Sequence, residues 1–140
     1  MRLSLHKGGM LPDSQGDKGR HFCRYAILPH AGGFGARSVV QPAYMFNYLP
    51  NPGFASCDSL LALDAPNVIV ESVKPCEDVQ NAYILRLYEA AGDYTRVSLR
   101  FGHEVKALCE CNMLEEEQAA ADPAQMVFRP FEIKTIKVCY

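Results

Sequence analysis

The chain has 140 residues, 49% of them apolar and 21% charged, and 14 Lys and Arg against 16 Asp and Glu leave a formal net charge of -2. That is an ordinary globular balance, and a chain of this length buries about two thirds of its unfolded surface, enough for a genuine core. No basic run interleaved with aromatics occurs, which excludes the electrostatic footprint of a nucleic-acid binder, and no apolar stretch approaches the ~18 residues of a membrane-spanning helix.

In chain order, residues 1–7 predict a strand, with Leu3 and Leu5 on one face and His6 turned away from them. An apolar h-region and a cleavage site are missing there, so no signal peptide is expected. Residues 8–20 hold Gly8, Gly9, Pro12, Asp13, Ser14, Gly16, Asp17 and Gly19, the chemistry of a loop. Phe22 to Leu28 predicts a strand with His21 and His30 at its opposite ends, stopped by Pro29 and followed by a glycine cluster at Gly32, Gly33 and Gly35. Across 36–49, Val39, Val40, Ala43, Tyr44 and Leu49 form a helical stripe with Pro42 inside it. A mid-helix proline loses a hydrogen bond and clashes with the preceding turn, so the segment reads either as a short helix starting near Pro42 or as an edge strand. Pro50, Pro52 and Gly53 end it.

From residue 57 the pattern changes to short strands at regular spacing. Ser59 to Leu63 and Asn67 to Val73 predict two of them. Tyr83 to Glu89 alternates Tyr83, Leu85 and Leu87 against Ile84, Arg86 and Tyr88, the period of a half-buried strand. Tyr94 to Phe101 sets Val97, Leu99 and Phe101 against Arg96, Ser98 and Arg100, and Val105 to Met113 puts Val105, Ala107, Cys109 and Cys111 on one face. Phe131 to Val138 is mixed, with Thr135 expected to face outward. Gly92-Asp93 and Gly102-His103 suit tight turns. Only Leu114 to Ala121 predicts a helix, ended by Asp122-Pro123. The sum is an all-β chain forming an antiparallel β-sandwich.

The chemistry-bearing residues do not form a recognisable constellation. Hydrolysis by a general acid and base commonly uses two carboxyl groups across a cleft. Of the candidates, Asp13 and Asp17 lie in the loop, Glu89 reads as a surface or turn residue, and Glu115, Glu116 and Glu117 read as a solvated helix face. His6, His21, His30 and His103 show no H-x-D or H-x-x-x-H spacing, so no metal site is expected from this chain. No nucleophile elbow or phosphate-cradling loop is present. The six cysteines (Cys23, Cys57, Cys76, Cys109, Cys111 and Cys139) contain no C-x-x-C pair. Cys109 and Cys111 share a strand face, and with no export signal the set reads as reduced thiols of a cytoplasmic protein.

Three blocks carry a family resemblance. The first is Arg2-Leu-Ser-Leu-His-Lys7, then Pro12-Asp13, Asp17-Lys-Gly-Arg-His-Phe22 and Tyr25-Ala-Ile-Leu-Pro-His-Ala-Gly32. The second is Ala43-Tyr44 with Asn47. The third is Val68-Ile-Val-Glu-Ser-Val-Lys74, Ile84-Leu-Arg-Leu-Tyr-Glu-Ala90, Asn112-Met-Leu-Glu-Glu116 and Pro130-Phe-Glu-Ile-Lys-Thr135. In this order they resemble the closing section of glycoside hydrolase family 38, the α-mannosidases of bacterial and cytosolic type. His6-Lys7 stands where the family has Leu-Arg, and Pro42 replaces a more helix-compatible residue.

The resemblance implies residues 1–62 as the tail of a large β-supersandwich domain and 63–140 as a small Ig-like or jelly-roll-like sandwich. Family members are far longer. Their catalytic barrel carries zinc or another divalent metal, an aspartate nucleophile and a second acid, and none of those motifs lies here. This chain is therefore expected to have no catalytic residue, no metal ligand and no activity alone. Its implied partners are the remainder of an α-mannosidase chain and, in the intact enzyme, a mannose-containing oligosaccharide. Met1 falls mid-domain in the family, so the chain reads as a fragment or a truncated gene product, whose exposed strand edges favour self-association. Asp17, Gly19, Arg20 and His21, on a glycine-rich loop tip, are the residues expected at the edge of the sugar-binding cleft. A free-standing carbohydrate-binding or interaction sandwich stands as the alternative.

Overall fold

The computed structural model describes residues 2–9, 11–48 and 59–140. Nine strands are present among them: β1 (Leu61–Leu63), β2 (Val68–Pro75), β3 (Ala82–Glu89), β4 (Thr95–Val97), β5 (Leu99–Phe101), β6 (Ala107–Cys111), β7 (Glu117–Ala120), β8 (Met126–Phe128) and β9 (Ile133–Cys139). All pairings are antiparallel. A five-stranded sheet has the order β2-β3-β9-β6-β7, and two-stranded sheets form from β1 with β5 and β4 with β8.

Strand β3 lies between β2 and β9 and has both faces covered. Tyr83, Leu85 and Leu87 enter the main core, while Ile84 is buried on the opposite face. The core joins all three sheets: Leu108, Ile136 and Val138 from the large one meet Val97, Leu99, Met126 and Phe128 from the small ones. Phe128, Leu85, Leu87 and Ile136 are completely inaccessible, and burying each such side chain contributes about 1.5–3 kcal/mol. The β2–β3 register shifts between Val70 and Ser72, so Glu71 is the extra residue of a bulge.

The expected strands at Asn67–Val73, Tyr83–Glu89, Val105–Met113 and Phe131–Val138 appear with ends adjusted by a few residues. Tyr94–Phe101 is two strands rather than one. Its halves bond to different partners, β8 and β1, and change over at Ser98, whose N–H is held 2.8 Å from Asp64 Oδ1. Leu114–Ala121 is not helical. Asn112 Oδ1 accepts the N–H groups of Leu114 and Glu116, closing a turn, and Glu117–Ala120 then adds to the sheet as its edge strand. A side chain bonding the local backbone competes with helix initiation. Met126–Phe128, too short to show a period, is a strand that the sequence pattern does not reveal. Thr135 is buried, its hydroxyl 3.9 Å from Met113 Sδ, because the 112–116 turn folds over the outer face.

The N-terminal region departs most. Neither Arg2–Lys7 nor Phe22–Leu28 is a strand. Among the described residues no partner strand lies beside either, and an extended segment without a ladder neighbour gains no sheet hydrogen bonds. A wide helical turn, Ala36–Val40, runs into α1 (Gln41–Asn47), the one α-helix among the described residues. Pro42 sits in the first turn of α1, where its missing N–H costs nothing, so the short-helix reading holds and the edge strand does not. The break at Pro50, Pro52 and Gly53, together with Cys57, lies outside the described residues. Cys23, Cys76, Cys109, Cys111 and Cys139 are free thiols. No helix among the described residues is long and apolar enough to cross a membrane.

Candidate functional site

The Asp17–His21 tip is shaped by a tight turn upstream of it. Asp13 Oδ1 accepts the Gln15 N–H at 2.8 Å, and Asp13 O accepts that of Gly16 at 3.1 Å. Gly16 has φ +49°, and a Cβ there would lie 2.4 Å from Gly9 O, so the close approach of the two arms requires glycine. Lys18 Nζ donates to Ser14 O at 2.9 Å. His21 Nε2 lies 2.6 Å from Asp17 O, a bond made with the ring tautomer protonated at that nitrogen, and the His6 and His21 rings sit 4.4 Å apart. Gly19 has φ +147° with open space around it. The Arg20 guanidinium lies 5.0 Å from the Phe22 ring centroid. The four expected residues thus share one exposed loop. His6, Asp17, Gly19 and His21 line an open cavity of about 400 Å³, and Arg20 stands outside its lining. It is Asp13, rather than Asp17, whose carboxylate accepts a backbone N–H in this loop.

A second arrangement forms where α1 meets the sandwich. Tyr88 Oη donates to Tyr44 Oη at 2.9 Å, and Tyr44 Oη donates to Glu71 Oε2 at 2.5 Å. The hydrogen bond to Glu71, then that with Tyr88, holds the Tyr44 phenol well above its usual range. The β2 bulge delivers Glu71 to this relay. Gln41 Nε2 adds a bond to Pro66 O at 3.0 Å. Residues 25–28 run along α1 on its other side, leaving a groove lined by Leu28, Val39 and Phe46, and Arg24 stacks 4.3 Å from the Phe46 centroid.

Beside this junction, Glu89 ends β3 fully buried rather than at the surface. Its Oε1 accepts Asn67 Nδ2 (2.8 Å) and Ala91 N (2.7 Å), and its Oε2 accepts Gly92 N (2.7 Å), Asp93 N (3.1 Å) and Phe131 N (3.0 Å). Burial pushes the carboxyl pKa up, but the donors from Phe131, Ala91, Asn67 and Gly92 outweigh it and the net shift is downward. One carboxylate thereby fixes the 91–93 turn, where Gly92 has φ +79°. The turn borders a broad cleft of about 990 Å³ between the Phe34–Arg37 segment and residues 64–67 and 91–96. The sequence signal for this knot was an acid placed directly before Ala-Ala-Gly-Asp at a strand end.

The expected glutamate face is also dismantled. Glu115 is buried, ion-paired with Lys74 and bonded to Glu77 N, and these partners hold its pKa near about 2. Glu117 Oε1 lies 3.2 Å from the buried Lys137 Nζ. His103 packs among Tyr83, Phe101 and Tyr140. Burial, with Tyr140 nearby, raises the Tyr83 phenol to about 12. Among the described residues no three His, Cys, Asp or Glu side chains are placed to hold a metal ion, so the divalent ion implied by the resemblance has no donor set there.

Residues 67–136 match the family of glycosyl hydrolases family 38 C-terminal β-sandwich domains. The chain is 31% identical to alpha-mannosidase 2C1 of Homo sapiens and 30% identical to that of Mus musculus, each over 97% of this chain and 14% of the relative. It is 28% identical to an alpha-mannosidase of Saccharomyces cerevisiae over 100% of this chain and 16% of the relative. The chain thus spans only 14 to 16% of the length of these curated relatives.

Proposed function

We propose that this chain, which belongs to the family of glycosyl hydrolases family 38 C-terminal β-sandwich domains, is a non-catalytic module of a cytoplasmic α-mannosidase acting on terminal α-D-mannose. The family match covers the segment that builds the core. The relatives carry the name α-mannosidase, and the aligned part is a small share of each. The observation that carries the reading is the contrast within the chain. Residues 67–136 supply nearly all of the buried apolar core, whereas no apolar side chain is buried among the described residues of 2–48, and Leu3, Leu5, Phe22, Ile27 and Leu28 stand exposed. Such a surface marks a region built to be covered by other protein. In the intact enzyme the rest of the chain covers it, residues 1–62 completing a large β-domain ahead of the small Ig-like or jelly-roll-like sandwich.

In that assembly Asp17, Gly19, Arg20 and His21 stand at the edge of the sugar-binding cleft. Gly19 lets the tip turn, the His21–Asp17 bond fixes the ring, and Arg20 offers guanidinium donors to sugar hydroxyls. The metal and the paired acids belong to the catalytic domain, and no bond-breaking step runs through this chain. The test is Arg20→Ala and His21→Ala in a full-length relative. We expect kcat/KM on an aryl α-mannoside to fall about tenfold or more with Tm unchanged. A lowered Tm with normal kinetics in the folded fraction would reduce the loop to a structural element.

A further inference from the structure

The broad cleft of about 990 Å³ has a chemistry of its own. The aromatic side chains of Phe34 and Tyr94, 76% and 67% exposed, line it together with Arg37, Asp64, Asp93 and Arg96. Among the described residues Arg37, Arg96 and the Asp93 carboxylate make no hydrogen bond or ion pair, and Asp64 commits a single oxygen, to Ser98 N. The backbone beneath them is firm. Asp93 N is tied to the buried Glu89, and Thr95 and Val97 of β4 are buried in the sandwich.

Two guanidiniums facing two carboxylates cancel in charge, which disfavours an anion such as phosphate and equally a cation. The exposed rings and polar lining do not suit a wholly apolar ligand, which needs an enclosed pocket. A neutral polyol satisfies every feature. Each sugar hydroxyl both donates and accepts, so vicinal pairs bridge Asp and Arg, while the C–H face of the ring rests on an aromatic side chain. We infer that the cleft between the Phe34–Arg37 segment and the 91–96 edge of the sandwich is a saccharide-binding site, separate from the Asp17–His21 loop. Its preference for mannosyl units rests on the function proposed above. Tyr94 is the stacking platform, and Asp93 and Arg96 are the hydroxyl clamp.

The test is titration of the 15N-labelled 140-residue chain with a linear α-mannotriose and, separately, with maltotriose, followed by amide chemical shifts. Mannotriose is expected to move Asp93, Tyr94, Thr95 and Arg96 with a millimolar Kd. Tyr94→Ala should weaken binding about tenfold, the value of one lost aromatic contact, and leave amide shifts outside the cleft in place. Shifts with maltotriose alone would keep the saccharide site and remove the mannoside reading. Shifts confined to 17–21, none at all, or shifts in the cleft that survive both Tyr94→Ala and Arg96→Ala would overturn the inference.

Discussion

Residues 2–48 and 61–139 are both rich in apolar side chains, yet they treat them in opposite ways. Every buried apolar residue among those described lies between Ala65 and Val138, and none lies within 2–48. The difference is one of neighbours. Strands β2, β3, β9 and β6 are joined into one sheet, so their alternating faces have somewhere to go. Phe22–Leu28 has an equally apolar composition and, among the described residues, no adjacent strand, and it remains irregular along the flank of α1. Hydrophobic content proposes burial, and only a complementary surface provides it.

The largest expected effect that separates the two regions is truncation in the core. Phe128→Ala should cost about 3–5 kcal/mol in denaturant unfolding, whereas Phe22→Ala, at 84% exposed, should stay within about 0.5 kcal/mol. Comparable losses at the two sites would erase the contrast.

Next comes the buried carboxylate that ties the edge of the sandwich together. Glu89→Gln replaces one acceptor oxygen by an N–H₂ group facing backbone N–H donors, and should cost about 2–3 kcal/mol at neutral pH. Because the folded-state pKa of Glu89 is lowered from its ordinary 4.5, its contribution is complete above pH 4.5 and fades as pH falls through the folded value. Glu115, held near about 2, extends the same loss toward that pH. Stability of the wild-type chain should therefore fall between pH 4.5 and 2, and Glu89→Gln should flatten that slope. An unchanged slope in a chemical-denaturation series across pH would show that the carboxylate is not ionised in the fold.

The smallest effect sharpens the junction between the regions. Tyr44→Phe removes the donor to Glu71 and the acceptor for Tyr88, and should cost about 1 kcal/mol. Faster amide exchange should be confined to α1 and the β2 bulge. Faster exchange throughout β3 and β9 would mean that the helix and the sandwich unfold as one unit.

Local pattern alone placed strands near Val68–Val73, Tyr83–Glu89, Ala107–Cys111 and Ile133–Val138 and the turn chemistry of residues 8–20, although it turned Thr135 outward and left the segment around Pro42 open between a short helix and an edge strand. The ordered motif blocks also carried the family. These signals are local, set by side-chain alternation, glycine and proline, or by their order along the chain. Only the tertiary structure decided the rest. It split Tyr94–Phe101 between two sheets, because its halves face different partners. Residues 117–120, which suit a helix in isolation, became an edge strand because β6 offered a free ladder. Glu89 was drawn inside because five donors from three separate segments converge on it, and such convergence has no trace in sequence spacing. The clefts likewise arise between segments up to some sixty residues apart, brought together by the pairing of strands rather than by any motif.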